Sequence, residues 1–232
     1  MKQEELDIIL ENHGKWLRNE GGEKADLSNA DLKNTNLRFA NLRLADLRGA
    51  DLSYANLRGA NLRFADLRGA DLRFADLSNA NLSIADLSYA NLSIADLRFA
   101  DLRGADLRFA DLSNANLSIA DLSYANLSIA DLRFADLRGA DLRFADLSYA
   151  NLSWVNWQHV EGLTVICVQV DTTRKNNQIT YIKELDIWIT GCFQGTLDEL
   201  KASVEQTHKD NEKLRKRYYR VIDFILKEVA EE

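Results

Sequence analysis

The sequence predicts an all-β solenoid core with a helical cap at its N-terminus and a β-hairpin plus helices at its C-terminus. A strict five-residue period fills the middle of the chain, and longer apolar patterns replace it at both ends. The 232 residues contain no proline, so the commonest interrupter of strands is missing. We therefore expect three segments: residues 1–24 as the N-terminal cap, residues 25–160 as the solenoid, and residues 161–232 as the C-terminal cap.

The repeat runs over residues 25–154, and we number its positions one to five. Position one is alanine, with Thr35 as the only exception, position two is Asp or Asn, and position three is always leucine. Position four is Arg, Lys or Ser, and position five is variable. The pattern fills 26 repeats, and a degenerate repeat follows in which Trp157 takes the leucine position.

A period of five excludes the regular secondary structures. Five residues turn an α-helix by about 500°, so successive leucines would never form one apolar stripe. An odd period also moves side chains to alternate faces of a strand. A chain that bends once per repeat places leucine and alanine inside a square coil of four repeats, with the other three positions facing outward. The predicted core residues include Leu47, Leu67, Leu87, Leu107, Leu127, Leu147, Ala65, Ala85 and Ala105.

This A-[DN]-L-x-x pattern resembles the pentapeptide-repeat family from residue 25 to about residue 160. The resemblance implies a right-handed quadrilateral β-helix in which the leucines stack in ladders and each alanine fills a corner. The run from His13 to Leu17, followed by Gly21 and Gly22, is similar to the lead-in helix of bacterial and phage members. The stretch that begins at Gly191 resembles a C-terminal module of some members, for which we know no chemistry.

Both ends of a solenoid would pair with other chains, so caps are expected. Residues 3–18 have helical spacing, and we expect His13 to make a capping contact. At the other end, residues 163–171 and 179–189 predict a β-hairpin around a polar turn. Thr196 and Glu199 form a capping box that opens a helix to about residue 208. A second helix, 211–229, has an apolar stripe that allows either a monomer or a homodimer: Leu214, Tyr218, Val221, Ile222, Ile225 and Leu226.

Composition limits the function. The formal charge of −7 is spread along the chain, so no segment has the basic footprint of a nucleic-acid-binding protein. No signal region or long apolar stretch is evident, so we expect a cytoplasmic protein without membrane contact. Cys167 and Cys192 have no metal-ligand spacing, and we expect two buried thiols rather than a disulfide.

Catalysis needs convergent groups beside a pocket, and the sequence offers none. The three histidines lie in separate segments, and the 17 repeat aspartates are expected to be solvated beside Arg or Ser. We therefore predict no enzyme activity, no catalytic residues, no cofactor and no metal. The primary hypothesis is a non-enzymatic structural scaffold whose protein partner, if it has one, is unknown.

The alternative is a protein-binding module. The family resemblance implies that some members protect or inhibit DNA gyrase through an acidic rod that mimics DNA. Aspartates that recur every twenty residues would form one acidic column along the coil, which agrees in part with such a rod. However, 13 arginines and Lys33 interleave with the acids of the array. Apolar columns at position five are a second candidate surface for a protein partner. The two sets are Asp46, Asp66, Asp86 and Asp106, and Phe64, Phe74, Phe134 and Phe144.

A long internal copy argues against any evolved binding face. Residues 62–113 and 97–148 are identical over all 52 positions, with an offset of 35 residues. That offset is seven repeats, whereas a coil is four, so the surface pattern spirals around the coil. A functional face would repeat every twenty residues. The copy indicates a recently expanded or designed array.

Overall fold

The computed structural model describes residues 1–170 and 178–231, which form two compact units. The first unit contains Met1–Asn151 and Val155–Gly162, and the second contains Leu152–Trp154 and Leu163–Glu232. The first unit holds helix α1 (Gln3–Leu17) followed by the repeat array. The second holds strands β1 (Val165–Gln169), β2 (Gln178–Ile182), β3 (Ile187–Thr190) and β4 (Phe193–Gly195), and helices α2 (Leu197–Thr207) and α3 (Glu212–Glu231).

The array winds into coils of twenty residues. Each position-two residue from Asp26 to Asp141 forms a parallel bridge to the residue twenty later, as in the series Asp46, Asp66, Asp86. The Leu47 N–H donates to the Asp66 carbonyl at 2.7 Å, and the Asp66 N–H donates to the Ala45 carbonyl at 3.0 Å. Because four repeats make up twenty residues, each coil has four sides. The predicted square coil is therefore the arrangement in the structure.

The interior of the coil consists of leucine and alanine. Leu47, Leu67, Leu87, Leu107, Leu127 and Leu147 are each at most 1% exposed, as are Ala65, Ala85 and Ala105. A closed coil at interior packing density has no space for a larger side chain at the alanine positions. This filled interior places most of the other side chains of the repeat at regular positions on the surface.

Tight turns connect successive sides of the coil. The Ala50 N–H donates to the Leu47 carbonyl at 3.1 Å, and the same bond recurs along the array. Position five lies inside this turn with a positive φ, such as +61° at Ile94 and +61° at Tyr124. Bulky and β-branched residues rarely adopt this left-handed conformation, whereas Gly and Asn adopt it readily. The turns therefore store backbone strain wherever position five is bulky.

Replacing Ile129 with asparagine is expected to raise the free energy of unfolding by about 1 kcal/mol, because the left-handed strain at this exposed position is relieved. The reverse exchange, Asn114→Ile, provides the matched control at the same position of another repeat, and it should lower the unfolding free energy. Urea-induced unfolding monitored by circular dichroism measures both. A lower stability of Ile129→Asn than of the parent would contradict this account of the turn.

Position four does not always face outward, which corrects the sequence expectation. Ser53, Ser83 and Ser123 are at most 6% exposed. The Ser53 hydroxyl donates to Asp51 Oδ1 at 2.6 Å, so the short side chain folds back onto the turn. Where arginine at position four follows aspartate, it binds the same carboxylate, but its longer side chain stays exposed.

Helix α1 satisfies backbone groups at the open edge of the first coil. The Gln3 side chain accepts from the Asn36 N–H at 3.0 Å and donates to the Asn36 carbonyl at 3.1 Å. The fully buried His13 accepts the Ala25 N–H on Nδ1 at 3.0 Å, and its Nε2 lies 3.0 Å from the Arg43 carbonyl. Since a carbonyl can only accept, Nε2 carries the proton and the imidazole is neutral.

The second unit has a four-stranded antiparallel sheet in the order β1-β2-β3-β4, rather than the predicted single hairpin. The predicted strand over 179–189 is interrupted by a 3-10 turn at Lys183–Leu185 and by Asp186, whose φ is +48°. The polar turn predicted between the strands lies outside the described residues, apart from Gln178, which begins β2. The capping box is formed: the Thr196 N–H donates to Glu199 Oε2 at 2.8 Å.

Helices α2 and α3 pack on this sheet. Tyr218, Ile222 and Ile225 of α3 are buried in one cluster with Trp188 and Leu200. The stripe that was predicted to allow dimerisation is thus largely covered by the unit's own sheet. Whether the second unit closes the last coil stays a prediction, and so does the homodimer.

The cysteines differ from expectation in one respect. Cys167, in β1, and Cys192, between β3 and β4, are both free thiols, but both are exposed rather than buried. The Cys167 sulfur lies 3.3 Å from the Thr180 hydroxyl on the neighbouring strand β2.

Candidate functional site

The aspartates of the predicted DNA-mimicking column lie on one side of the array. Asp46, Asp66, Asp86 and Asp106 are joined by successive parallel bridges. Their carboxylates are not simply solvated, as the sequence suggested. Asp66 Oδ1 accepts the Arg68 N–H at 3.3 Å, and each of the others accepts from the residue two positions later. The position-two side chain therefore closes an Asx turn in each repeat.

Arginine at position four neutralises these carboxylates. Arg68 Nε and Nη2 donate to the two oxygens of Asp66 at 2.8 and 2.6 Å. Arg68 Nε also lies 3.7 Å from Asp86, so one guanidinium interacts with the aspartates of two adjacent coils. The hydrogen bond from Arg68 lowers the pKa of Asp66. The same intra-repeat pair occurs at Asp46, Asp66, Asp71, Asp96, Asp101, Asp106, Asp131, Asp136 and Asp141.

Two substitutions of Asp66 distinguish the contribution of the Asx turn to stability from that of the ion pair. Asp66→Asn keeps an oxygen acceptor for the Arg68 N–H, and we expect it to change the unfolding free energy by less than about 1 kcal/mol, since exposed ion pairs contribute little. Asp66→Ala removes the acceptor as well and should cost about 1 kcal/mol more. Chemical denaturation of both variants at neutral pH checks the order. Equal losses would mean that the carboxylate charge, not the turn, stabilises the repeat.

The position-five aromatic residues form short stacks rather than one surface. Phe74 stacks on Tyr54 with ring centroids 4.7 Å apart, and Phe144 stacks on Tyr124 at 4.9 Å. Phe64, Phe74, Phe134 and Phe144 are 38%, 43%, 53% and 76% exposed. Phe64 and Phe144 are 80 residues, or four coils, apart on one side, and Phe74 and Phe134 lie on another. The structure does not bring these four residues together.

A feature that the sequence reasoning missed lies at the start of the array. Arg38, Arg43, Arg58 and Arg63 follow asparagine rather than aspartate, and none has an ion-pair partner among the described residues. The signal was present in the sequence as Asn-Leu-Arg instead of Asp-Leu-Arg. It becomes meaningful only when the structure shows that the residue two positions earlier binds the arginine.

The surface also has an open groove of about 610 Å³. Arg63, Ile84, Arg103 and Tyr124 are among the lining residues. Arg103 is already bound to Asp101, and no group of side chains in the described part of the chain could hold a metal ion. Among the described helices, none has the length and apolar character needed to cross a bilayer.

The sequence profile of pentapeptide repeats matches the chain in eight copies, over residues 25–63, 45–83, 65–103, 80–118 and 125–156. These matches span more than half of the chain. The chain belongs to the pentapeptide-repeat family. A right-handed β-helix is the fold of this family, which gives the hand of the coil. A comparison with curated proteins finds no match.

Several solved pentapeptide-repeat proteins are similar to the chain. HetL of the cyanobacterium Nostoc sp. strain PCC 7120, involved in heterocyst differentiation regulation, is 34% identical over 60% of this chain and 81% of its own, with a TM-score of 0.30. The alr5209 protein of Nostoc PCC 7120 is 30% identical over 66% and 93%, with a TM-score of 0.21. QnrB1, a plasmid-mediated fluoroquinolone resistance protein, is 17% identical over 59% and 88%, with a TM-score of 0.38.

Proposed function

We propose that this pentapeptide-repeat protein is a non-enzymatic scaffold whose array is a filled, rigid spacer without an active site. The observation that supports this proposal most is that the side chains of the repeat either fill the interior or bond to other groups of the array. Leucine and alanine fill the interior, the outward carboxylates close turns, and most of them also bind an arginine of their own repeat or of the preceding coil. No group is left in the described array that combines an activated nucleophile with a base.

The internal copy supports the same proposal. A 35-residue module can be repeated only if every repeat fits every side of the coil, and the identical interiors of the four sides allow this. We propose that the array was lengthened recently, in a genome or by design, with selection acting on its length and stability. A cytoplasmic location and a lack of direct nucleic-acid binding stay predictions.

The DNA-mimicking alternative needs a sustained negative field along one side. In the column from Asp46 to Asp106, Arg48, Arg68 and Arg108 each bind the aspartate of their own repeat. The column therefore alternates in charge at short range, and the array has a net charge of −3 from 17 acids and 14 bases. This argues against the gyrase function.

A DNA gyrase supercoiling assay tests the proposal. We expect neither inhibition of supercoiling nor protection from a quinolone at tens of micromolar protein. The matched variant Arg48→Ser/Arg68→Ser/Arg108→Ser exposes the same carboxylates and keeps serine, which is a native residue at this position. Inhibition or protection by the parent protein would contradict the scaffold proposal. Activity of the variant alone would show that the arginines are what prevents the mimicry.

A further inference from the structure

Four arginines in the first two coils lack the carboxylate that all other arginines of the array have. Arg38, Arg43, Arg58 and Arg63 follow asparagine, whereas the other nine follow aspartate and bind it. Every other asparagine at position two of a complete repeat is followed by serine. The combination of asparagine and arginine is thus confined to one part of the array, which we call the arginine patch.

The asparagines keep the turn and remove only the charge. Asn36 Oδ1 accepts the Arg38 N–H at 3.3 Å, and Asn61 Oδ1 accepts the Arg63 N–H at 3.1 Å. Aspartate makes this bond at similar lengths, for example 3.1 Å to Arg98. Turn geometry therefore gives no reason for asparagine here. The consequence of asparagine at position two is that the arginine of the same repeat has no carboxylate to bind.

The four arginines are neighbours in the coil. Asn36 bridges Asn56, and Asn41 bridges Asn61, so the patch covers two adjacent sides of two adjacent coils. Stacked arginines are separated by about 4.8 Å, the spacing of paired strands. The pattern repeats at twenty residues, as a face of the coil requires, whereas the copied modules repeat at 35. The Asn-Leu-Arg pattern of the patch therefore stays on the same sides of the coil, whereas the pattern of the copied modules shifts by one side with each copy.

Exposed aromatic rings lie within the patch. Arg38 lies over the Phe39 ring at 5.3 Å from its centroid, and Arg63 lies over the Phe64 ring at 4.6 Å. Phe39 is 70% exposed. A guanidinium on a ring is held flat and keeps its N–H edges free for a bidentate acceptor.

Nearby carboxylates do not neutralise the patch. Asp96 and Asp101 feel the charges of Arg58 and Arg63, but each is already bound at 2.6 Å by the arginine of its own repeat. The four arginines of the patch therefore make no ion pair among the described residues, although Asp76 lies beside Asn56 on the next coil.

We propose that the arginine patch binds a short acidic segment of a partner protein, whose carboxylates take the places that aspartate has elsewhere in the array. Arg–carboxylate pairs of this kind are bidentate and specific. A nucleic acid is a poorer occupant, because the chain is net −7 and the patch is too short for an extended polyanion. This interaction goes beyond the scaffold function, which would stand without it.

Fluorescence anisotropy of a fluorescein-labelled peptide of alternating glutamate and serine tests the proposal on the full chain. We expect binding that weakens as salt rises, since exposed charges are screened. The variant Asn36→Asp/Asn41→Asp/Asn56→Asp/Asn61→Asp supplies the missing carboxylates without disturbing the turn. We expect its affinity to fall by about tenfold or more, with unchanged thermal stability as evidence of folding.

A control variant adds the same four negative charges at asparagines outside the arginine patch. Asn91→Asp/Asn116→Asp/Asn126→Asp/Asn151→Asp changes four asparagines that precede serine, and its affinity should fall by less than about threefold. Three results would overturn the proposal: no binding by the parent protein, equal losses in both variants, or tighter binding of a single-stranded oligothymidylate than of the peptide.

Discussion

Replacing Leu87 with alanine is expected to lower the free energy of unfolding by about 2–5 kcal/mol. Leu87 is fully buried in the middle of the array, and the neighbouring coils cannot collapse around the cavity because backbone hydrogen bonds fix their spacing. The Leu87 N–H bond to the Asp106 carbonyl, at 2.7 Å, stays in the variant, so the loss is one of packing alone. Guanidinium-induced unfolding followed by circular dichroism measures the change.

Tyr149→Ala is the matched control for this substitution. Tyr149 belongs to the same array and is larger than leucine, but it is 87% exposed. Its removal should change the unfolding free energy by less than about 0.5 kcal/mol, as for other surface substitutions. Similar losses in the two variants would mean that the leucines do not form the core.

The second large effect concerns His13. His13→Leu removes the acceptor for the Ala25 N–H and the donor for the Arg43 carbonyl, while it keeps an apolar side chain in the buried site. A buried backbone group without a partner costs about 1–3 kcal/mol, so we expect a loss of about 2–4 kcal/mol. Differential scanning calorimetry at pH 8 measures it. An unchanged melting temperature would show that water replaces the imidazole at no cost.

The same residue gives a pH dependence whose sign is fixed by burial. Burial lowers the pKa of His13 below its ordinary value of 6.5, so the unfolded chain binds the proton more tightly than the folded chain. The stabilisation by His13 is complete above pH 6.5 and is lost as the pH falls below 6.5 toward the folded pKa. Protonation would also place an N–H on Nδ1 against the Ala25 N–H. The difference in stability between the parent protein and His13→Leu should therefore shrink between pH 7 and pH 5.

Invariant side chains made the coil predictable. Leucine at position three is buried in every repeat and alanine at position one in most of them, so a period of five that suits neither helix nor strand leaves a bent chain with those residues inside. Position two was harder to interpret, because Asp66 and Asn61 perform the same turn function and differ only in whether the arginine two residues later is bound. That difference depends on a hydrogen bond that spacing alone does not reveal.

The backbone conformation at position five could not be predicted from its residue types. Gly49 and Asn79 are typical of a left-handed turn residue, but Ile94 and Tyr124 occupy the same conformation and disguise the pattern. In the second unit, Lys183 to Leu185 look like part of one long apolar strand, and the left-handed Asp186 divides it. Periodicity identifies the stripe of α3 as apolar, but it does not show that the sheet of the same unit covers that stripe.

Disulfide cross-linking tests the twenty-residue coil most directly. In a Cys167→Ser/Cys192→Ser background, Tyr54→Cys/Phe74→Cys places two thiols on adjacent coils, where the parent rings stack at 4.7 Å. Coil spacing of about 4.8 Å lies within the Cα separations that a disulfide bridges. We predict rapid cross-linking of this pair under mild oxidation and none for Tyr54→Cys/Gly69→Cys, whose thiols are 15 residues apart and lie on different sides. Cross-linking of the second pair in preference to the first would contradict the four-sided coil.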